Sequence, residues 1–330
     1  QPGRGHQRHL GAGGLMLGRT ASSLYWMSRY MERAENMARL LEVGHRISLM
    51  PGAIEGHRDE WRSTLLSAAC EHSYAQKYST ISAQQVVDFL IFDESNPSSI
   101  RAILRTARNN GRAVRTALTR DVWESINSTW NELGAVKPSE LTPDRLPVFL
   151  DWVKQRSMSF RGAVLGTMLR NENYYFSQLG NFVERADNTA RILDVKYFIL
   201  LPKPTDVGSD LDMHQWGQIL RSVSAHRAYR WFYRNSGYKP WLVSEFLILR
   251  EEMPRSLLFS YQWICTALSG LAALHGTRYD VHEQAEETRN RLRNGKMEDI
   301  FQSGLHEYLQ HFITANNNLS RDIGTTYNFP

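Results

Sequence analysis

The stretch Glu32-Arg33-Ala34-Glu35-Asn36-Met37-Ala38-Arg39-Leu40-Leu41-Glu42-Val43 returns as Glu184-Arg185-Ala186-Asp187-Asn188-Thr189-Ala190-Arg191-Ile192-Leu193-Asp194-Val195, at an offset of 152 residues. The only differences are Glu35/Asp187, Met37/Thr189, Leu40/Ile192 and Glu42/Asp194. A second pair follows at an offset of 157, with Phe89-Leu90-Ile91, Pro97 and Ser99 matched by Phe246-Leu247-Ile248, Pro254 and Ser256. The chain therefore reads as two copies of one unit, over about 16–140 and 160–320. Two such units normally pack about a pseudo-twofold axis, which brings the two Glu-Arg segments together in one compact bundle rather than two independent domains.

Apolar residues recur at helical spacing nearly everywhere, and alternating strand-like runs are hard to find, so the fold class is all-α: a compact multi-helix bundle built from two repeats. Helices are expected over about 20–49, 59–75, 83–92, 97–119, 121–133, 145–171, 174–200, 211–222, 224–234, 241–249, 254–275, 278–293 and 297–320. Breaks bearing Pro or Gly are expected at 50–57, 134–147, 202–210 and 235–240. Pro97 and Pro254 are placed in the first turn of their helices, with Asn96 as the cap of the first.

With 330 residues, 42% hydrophobic and 22% charged, the chain can bury a full core, which excludes a disulfide-stapled miniprotein and a wholly disordered chain. Residues 1–15 hold no hydrophobic run and no cleavage site, and are expected to be a disordered extension before the helical domain at 16–330. Gly11, Gly13 and Gly14 follow no strand, which argues against a phosphate loop. Ser256 to Thr277 carries no formal charge but includes Gln262 and His275, and is expected to be a buried helix rather than a membrane span. Cys70 and Cys265 lie in apolar helical runs without a CxxC, as expected of core residues in a reduced, cytoplasmic protein.

On a helix, Arg29, Glu32, Asn36 and Arg39 form one polar stripe, and Glu184, Asn188 and Arg191 repeat it. Three roles fit such a stripe. Carboxylates and arginines could neutralise each other inside the bundle. Alternatively Arg33 and Arg185 could hold a ligand carboxylate or phosphate, with Glu32 and Glu184 as catalytic or orienting groups. Third, Glu32/Glu35 and Glu184/Asp187, at i, i+3, could hold metal, but the Glu-x-x-His of four-helix carboxylate centres is missing and arginines crowd the same turns. No metal site is therefore expected.

The cations are 32 arginines and seven lysines, and the net charge is +5. Arg101, Arg105, Arg108, Arg112 and Arg115 form one continuous basic edge beside an apolar face, while the corresponding segment of the second half is nearly uncharged. Such an edge suits a solvated face, an anionic ligand or an acidic protein partner. The small net excess and the lack of a binding module argue against nucleic acid.

At these residues the sequence resembles the bacterial alpha-E family, named for its helical content and its Glu-Arg motif. The similarity runs from Met16 to the C-terminus and includes Met16-Leu17-Gly18-Arg19, Tyr30-Met31-Glu32-Arg33-Ala34-Glu35, Asn96-Pro97, Ala107-Arg108-Asn109-Asn110, Val114-Arg115, Trp123, Asn127, Gly180, Glu184-Arg185-Ala186-Asp187 and Pro254-Arg255-Ser256. Met16 opens the family pattern, which fits residues 1–15 as an upstream extension or a misplaced start. Two departures stand out: Ser98 where arginine often follows the first Pro, and Gly111 where alanine is common.

The resemblance implies company rather than a reaction. Family members are encoded beside, or fused to, a circularly permuted ATP-grasp protein and a transglutaminase-like protein, in some cases with a proteasome-like peptidase. It implies an accessory or co-catalytic helical partner of an ATP-grasp amide ligase, presenting a peptide or amino-acid substrate. ATP and Mg would be used by the ligase, with no cofactor bound directly by this chain. Glu32, Arg33, Glu184 and Arg185, with Arg39 and Arg191, would shape a central pocket, and Arg101, Arg105, Arg108, Arg112 and Arg115 would bind an anionic substrate or acidic partner. The alternative is an independent enzyme acting on peptide amides or amines, with Glu32 and Glu184 as acid and base.

Overall fold

The computed structural model describes residues 11–49, 57–198, 209–234 and 236–330. The first half runs through α1 (Gly11–Ser48), α2 (His57–Ser67), α3 (Glu71–Ala75), α4 (Ala83–Ile91), α5 (Ile100–Ala113), α6 (Arg120–Ala135) and α7 (Leu146–Thr167). The second runs through α8 (Glu172–Phe198), α9 (Asp210–Ser222), α10 (His226–Phe232), α11 (Pro240–Ile248), α12 (Leu257–His275), α13 (Asp280–Asn294), α14 (Met297–Ser303) and α15 (Leu305–Thr326). There is no strand among the described residues. Residues 1–10 and most of the breaks expected at 50–57 and 202–210 lie outside the described residues; Gly11 to Leu15, expected in the extension, continue α1.

The halves correspond helix for helix. α1, α2, α3, α4, α5, α6 and α7 match α8, α9, α10, α11, α12, α13 and α15 in order, with α14 where the first half has a short turn at Pro138–Glu140. The packing repeats as well: α1 is flanked by α5 and α7 as α8 is flanked by α12 and α15, and α1 lies against α8. Ser157 on α7 donates to the Met31 carbonyl at 3.1 Å, and Asn316 on α15 donates to the equivalent Val183 carbonyl at 3.0 Å. The first repeat unit thus includes α7, beyond the limit of about 140 expected from the sequence, and the second ends with α15, which runs a few residues past the expected 320.

Both α1 and α8 are enclosed on all sides. Leu24, Met27, Met31, Ala34, Ala38 and Leu41 are buried, but so are Glu32, Glu35, Asn36 and Arg39 on the opposite face. A helix covered by neighbours all round must satisfy its polar residues inside the protein, because water cannot reach them. The two helices approach closely at Gly180, where a Cβ would run into the Tyr25 carbonyl oxygen.

Local signals set the ends of the flanking helices. Ser99 and Ser256 cap α5 and α12, accepting from Ala102 N at 3.2 Å and Phe259 N at 2.9 Å. Pro97 and Pro254 therefore precede the helices instead of occupying their first turns. Asn96 is not the cap: its Oδ1 accepts from Ser98 N at 2.9 Å and its Nδ2 donates to the Phe89 carbonyl at 3.0 Å, closing the turn before α5. The helix expected over 97–119 is shorter, followed by a single 3-10 turn at Arg115–Ala117. After α2 and α9 the chain turns through Ala69 (φ 55) and Ser224 (φ 58), left-handed positions that close the same C-terminal turn in each half. α12 is long and apolar enough to cross a membrane, but half of it is buried against α8 and α13.

Candidate functional site

The two Glu-Arg motifs meet at the contact between α1 and α8, and they exchange partners. Arg33 on α1 binds Glu184 on α8 through both ends of its fork, at 2.5 and 2.9 Å. Arg185 on α8 binds Glu32 on α1 in the same manner, at 3.0 and 3.1 Å. The two arginines expected to hold a ligand anion are therefore engaged with the protein's own carboxylates, each across the pseudo-twofold axis.

Around Glu32 the cluster is closed. Arg161 on α7 donates to Glu32 at 2.7 Å and also to Glu35. Arg255, in the turn before α12, donates to Glu32 at 3.2 Å and also to Glu35. Arg39 reaches Glu35 at 3.0 and 2.6 Å, and its outer nitrogen donates to the Ser222 carbonyl and, at 3.2 Å, to Ser224 Oγ. Two carboxylates thus face four guanidinium groups, and every one of these six side chains is at least four-fifths buried.

Around Glu184 the same pattern is incomplete. Arg29 donates to Glu184 at 2.7 Å and to Ser320 Oγ at 2.6 Å, so this half draws its second guanidinium from α1, and Ser320 on α15 stands where α7 has Arg161. Asp187, the counterpart of Glu35, is hydrogen-bonded among the described residues by Arg191, at 2.7 and 3.3 Å. The counterpart of Arg255 is Ser98, which reaches neither carboxylate, and the counterpart of Ser224 is Ala69, which offers Arg191 no hydroxyl.

The missing side chains leave a cavity of about 220 Å³, bounded by Arg29, Arg33, Glu184, Asp187, Arg191 and Ser98, with Asn36, Asn188 and Ser67 in its wall. Arg33 and Arg191 stand at its mouth with side chains 31% and 29% exposed, while Arg29 lies deep at 5%. Asn36 Oδ1, Asn188 Nδ2 and Ser67 Oγ are buried here without a hydrogen-bond partner. Leaving a buried polar atom unpaired costs about 1–3 kcal/mol, so three in one wall suit a polar occupant, water or ligand. A smaller cavity, about 190 Å³, touches Arg161 and Arg185 from the other side between mostly apolar walls, Phe160, Phe182, Phe259 and Trp263 among them, and does not reach Glu32 or Glu35.

Burial opposes the charged form of Glu32, but Arg185 and Arg161 outweigh it and hold the carboxyl down at about 2. Glu184 is likewise opposed by burial and held at about 2 by Arg33 and Arg29. Carboxylates this strongly held as anions are weak proton acceptors and carry no proton to give near neutral pH, which argues against the acid and base roles expected of them. The arginines that crowd Glu32/Glu35 and Glu184/Asp187 also occupy the oxygens a metal would need.

The basic edge, with Arg101, Arg105, Arg108 and Arg112 on α5 and Arg115 in the turn after it instead of on one continuous helix, lies apart from this centre. Arg101 sits over the Phe92 ring, Arg105 pairs with Glu94 at 2.9 Å, Arg108 donates to Asn127 at 2.9 Å and Arg115 sits over Trp123. Arg112 is exposed, and none of the five borders the cavities at the Glu-Arg centre. Cys70 and Cys265 are buried free thiols, both pushed up by burial, Cys265 to about 11. Arg161 escapes attention in the sequence because it belongs to no repeated stretch, and Arg255 stands there only as part of the family pattern, with no role at the Glu-Arg centre. For Arg255 a signal existed, in the residue between the matched Pro and Ser of each half.

In comparison with known proteins, residues 16–327 match the model of the family Alpha-E, described as a predicted alpha-helical domain with a conserved ER motif. No curated protein and no solved structure matches.

Proposed function

Since the chain belongs to the Alpha-E family, we propose that it is a substrate-holding partner in an amide-forming system, in which its open Glu-Arg half receives a peptide or amino acid and presents it to an ATP-grasp ligase. The observation that carries this is the contrast between the two copies: one network is closed on itself, and the other ends in a polar cavity with three unpartnered buried groups. The ligase supplies ATP, Mg and the acyl-phosphate chemistry, while this chain positions the reacting partner, a gain that orientation alone makes large. A transglutaminase-like protein, and in some systems a proteasome-like peptidase, would act on the same peptide.

The basic edge of α5 serves as the dock, with exposed Arg112 and the neighbouring Arg108 and Arg115 facing an acidic partner surface. Affinity purification of the tagged protein from its native host tests the proposal. Recovery of an ATP-grasp protein, lost in Arg108→Glu/Arg112→Glu, supports it; recovery of the chain alone, with the double variant unchanged in every titration, removes the docking role. Turnover of a peptide amide by the isolated protein, abolished in a folded Glu184→Gln, would establish the independent-enzyme alternative.

A further inference from the structure

We infer that the cavity beside Glu184 and Asp187 is a guanidinium site, which takes an arginine side chain, free or within a peptide, or another guanidine-bearing compound. This deepens the substrate-holding proposal and rests on it.

The argument comes from comparing the halves atom by atom. Glu32 is met by Arg185, Arg161 and Arg255, whereas Glu184 is met only by Arg33 and Arg29. Glu35 is met by Arg39, Arg161 and Arg255, whereas Asp187 is met only by Arg191. The closed half holds four guanidinium groups and the open half three, against two carboxylates each. Arg161 and Arg255 both bridge Glu32 and Glu35 and both lack an arginine at the matching position, where Ser320 and Ser98 stand; Arg29 makes up for the first at Glu184, while Ser98 lines the cavity. The space therefore lies where one planar cation bridges two carboxylates in the other half.

Acceptors for such a cation stand in the cavity wall. Asn36 Oδ1 has no partner, while its Nδ2 faces the Glu184 carbonyl at 3.5 Å. Ser67 Oγ has none, and Asp187 Oδ1 has a single 3.3 Å contact. Beside them stand two unpaired donors, Asn188 Nδ2 and the Ser67 hydroxyl itself. A guanidinium offers five donors in one plane and no acceptor, which suits the acceptors, and its delocalised charge is less costly to dehydrate than an ammonium. A ligand carboxylate could use Asn188 and the outer N–H groups of Arg33 and Arg191, but would stand against Asp187, Glu184 and Asn36 Oδ1.

Calorimetry on the full chain, with agmatine and L-arginine as probes against putrescine and L-glutamate, tests this. Agmatine is expected to bind at least tenfold more tightly than putrescine. Ser98→Arg, which supplies the missing guanidinium from the chain, is expected to abolish agmatine binding and to raise Tm without ligand. Asp187→Asn is expected to weaken agmatine at least tenfold, and carries the test if Ser98→Arg does not fold. Tighter binding of glutamate than agmatine, or agmatine binding unchanged in Ser98→Arg and Asp187→Asn, overturns the inference. Glutamate binding lost in Ser98→Arg would leave the substrate-holding proposal standing without the guanidinium site. Intact agmatine binding with no ligase recovered from the host would do the reverse.

Discussion

Replacing Glu32 by Gln keeps the shape of the side chain and removes its charge from a place where three arginines converge on it. Arg185 and Arg255 are more than nine-tenths buried and would keep their charges with one fewer anion to answer them. Breaking a buried pair from one side costs about 3–5 kcal/mol, a large part of the roughly 5–15 kcal/mol that holds a domain folded. Urea denaturation followed by tryptophan fluorescence, with Trp61 and Trp216 as buried reporters, would read this as a lowered midpoint with the slope unchanged. The loss should depend on pH. The Glu32 carboxyl is lowered from an ordinary 4.5 to about 2 in the folded protein, so its contribution is complete above about 4.5 and disappears as pH falls through 2. The gap between wild type and Glu32→Gln is therefore widest at neutral pH and narrows on acidification. Removing Arg185 as well, as Glu32→Gln/Arg185→Met, should restore part of the stability, because the second change takes away a charge the first left unanswered. A gap under about 1 kcal/mol, or two stability curves running parallel from pH 7 to 2, would refute the account of Glu32 as the centre of a closed, ionised network.

Other consequences are more local. Gly180→Ala drives a methyl group into the Tyr25 carbonyl and is expected to cost about 1–3 kcal/mol as helices α1 and α8 part; a Tm equal to wild type would contradict the close crossing. Ser99→Ala and Ser256→Ala each remove a helix cap and should cost about 1 kcal/mol apiece, additively, by chemical denaturation. The thiols of Cys70 and Cys265, buried and raised above their usual range, should resist alkylation at pH 8 in the native protein and react on unfolding; rapid labelling of either without denaturant would place it outside the core.

Much of this architecture is written in the chain. The repeated Glu-Arg stretch announces the pairing of α1 with α8, and helical periodicity announces the all-α class. Helix ends were less legible, because Pro97 and Pro254 suit either a first helical turn or the turn before it, and the choice is made by Ser99 and Ser256 finding Ala102 N and Phe259 N. The state of each Glu-Arg cluster was not legible from the repeat, since what closes one and opens the other comes from distant helices. Arg161 on α7 and Ser320 on α15 occupy matching positions without any local sequence likeness. Ser98 and Arg255 differ in plain sight, but a single unmatched residue between a matched Pro and Ser acquires meaning only when both are seen beside their carboxylates.

The exchange of partners between Arg33 and Glu184, and between Arg185 and Glu32, also bears on how such a chain arises. A half-length ancestor with this contact would have been a symmetric dimer, each copy supplying the other's counter-ion. In a dimer of identical chains every substitution is made twice, so a change that opens one cluster opens both and weakens the shared interface on each side. Once the copies are joined in one polypeptide, the second cluster can hold the interface while the first drifts. In a single chain Ser98 and Arg255 need not match, so one half could anchor the interface while the other opened.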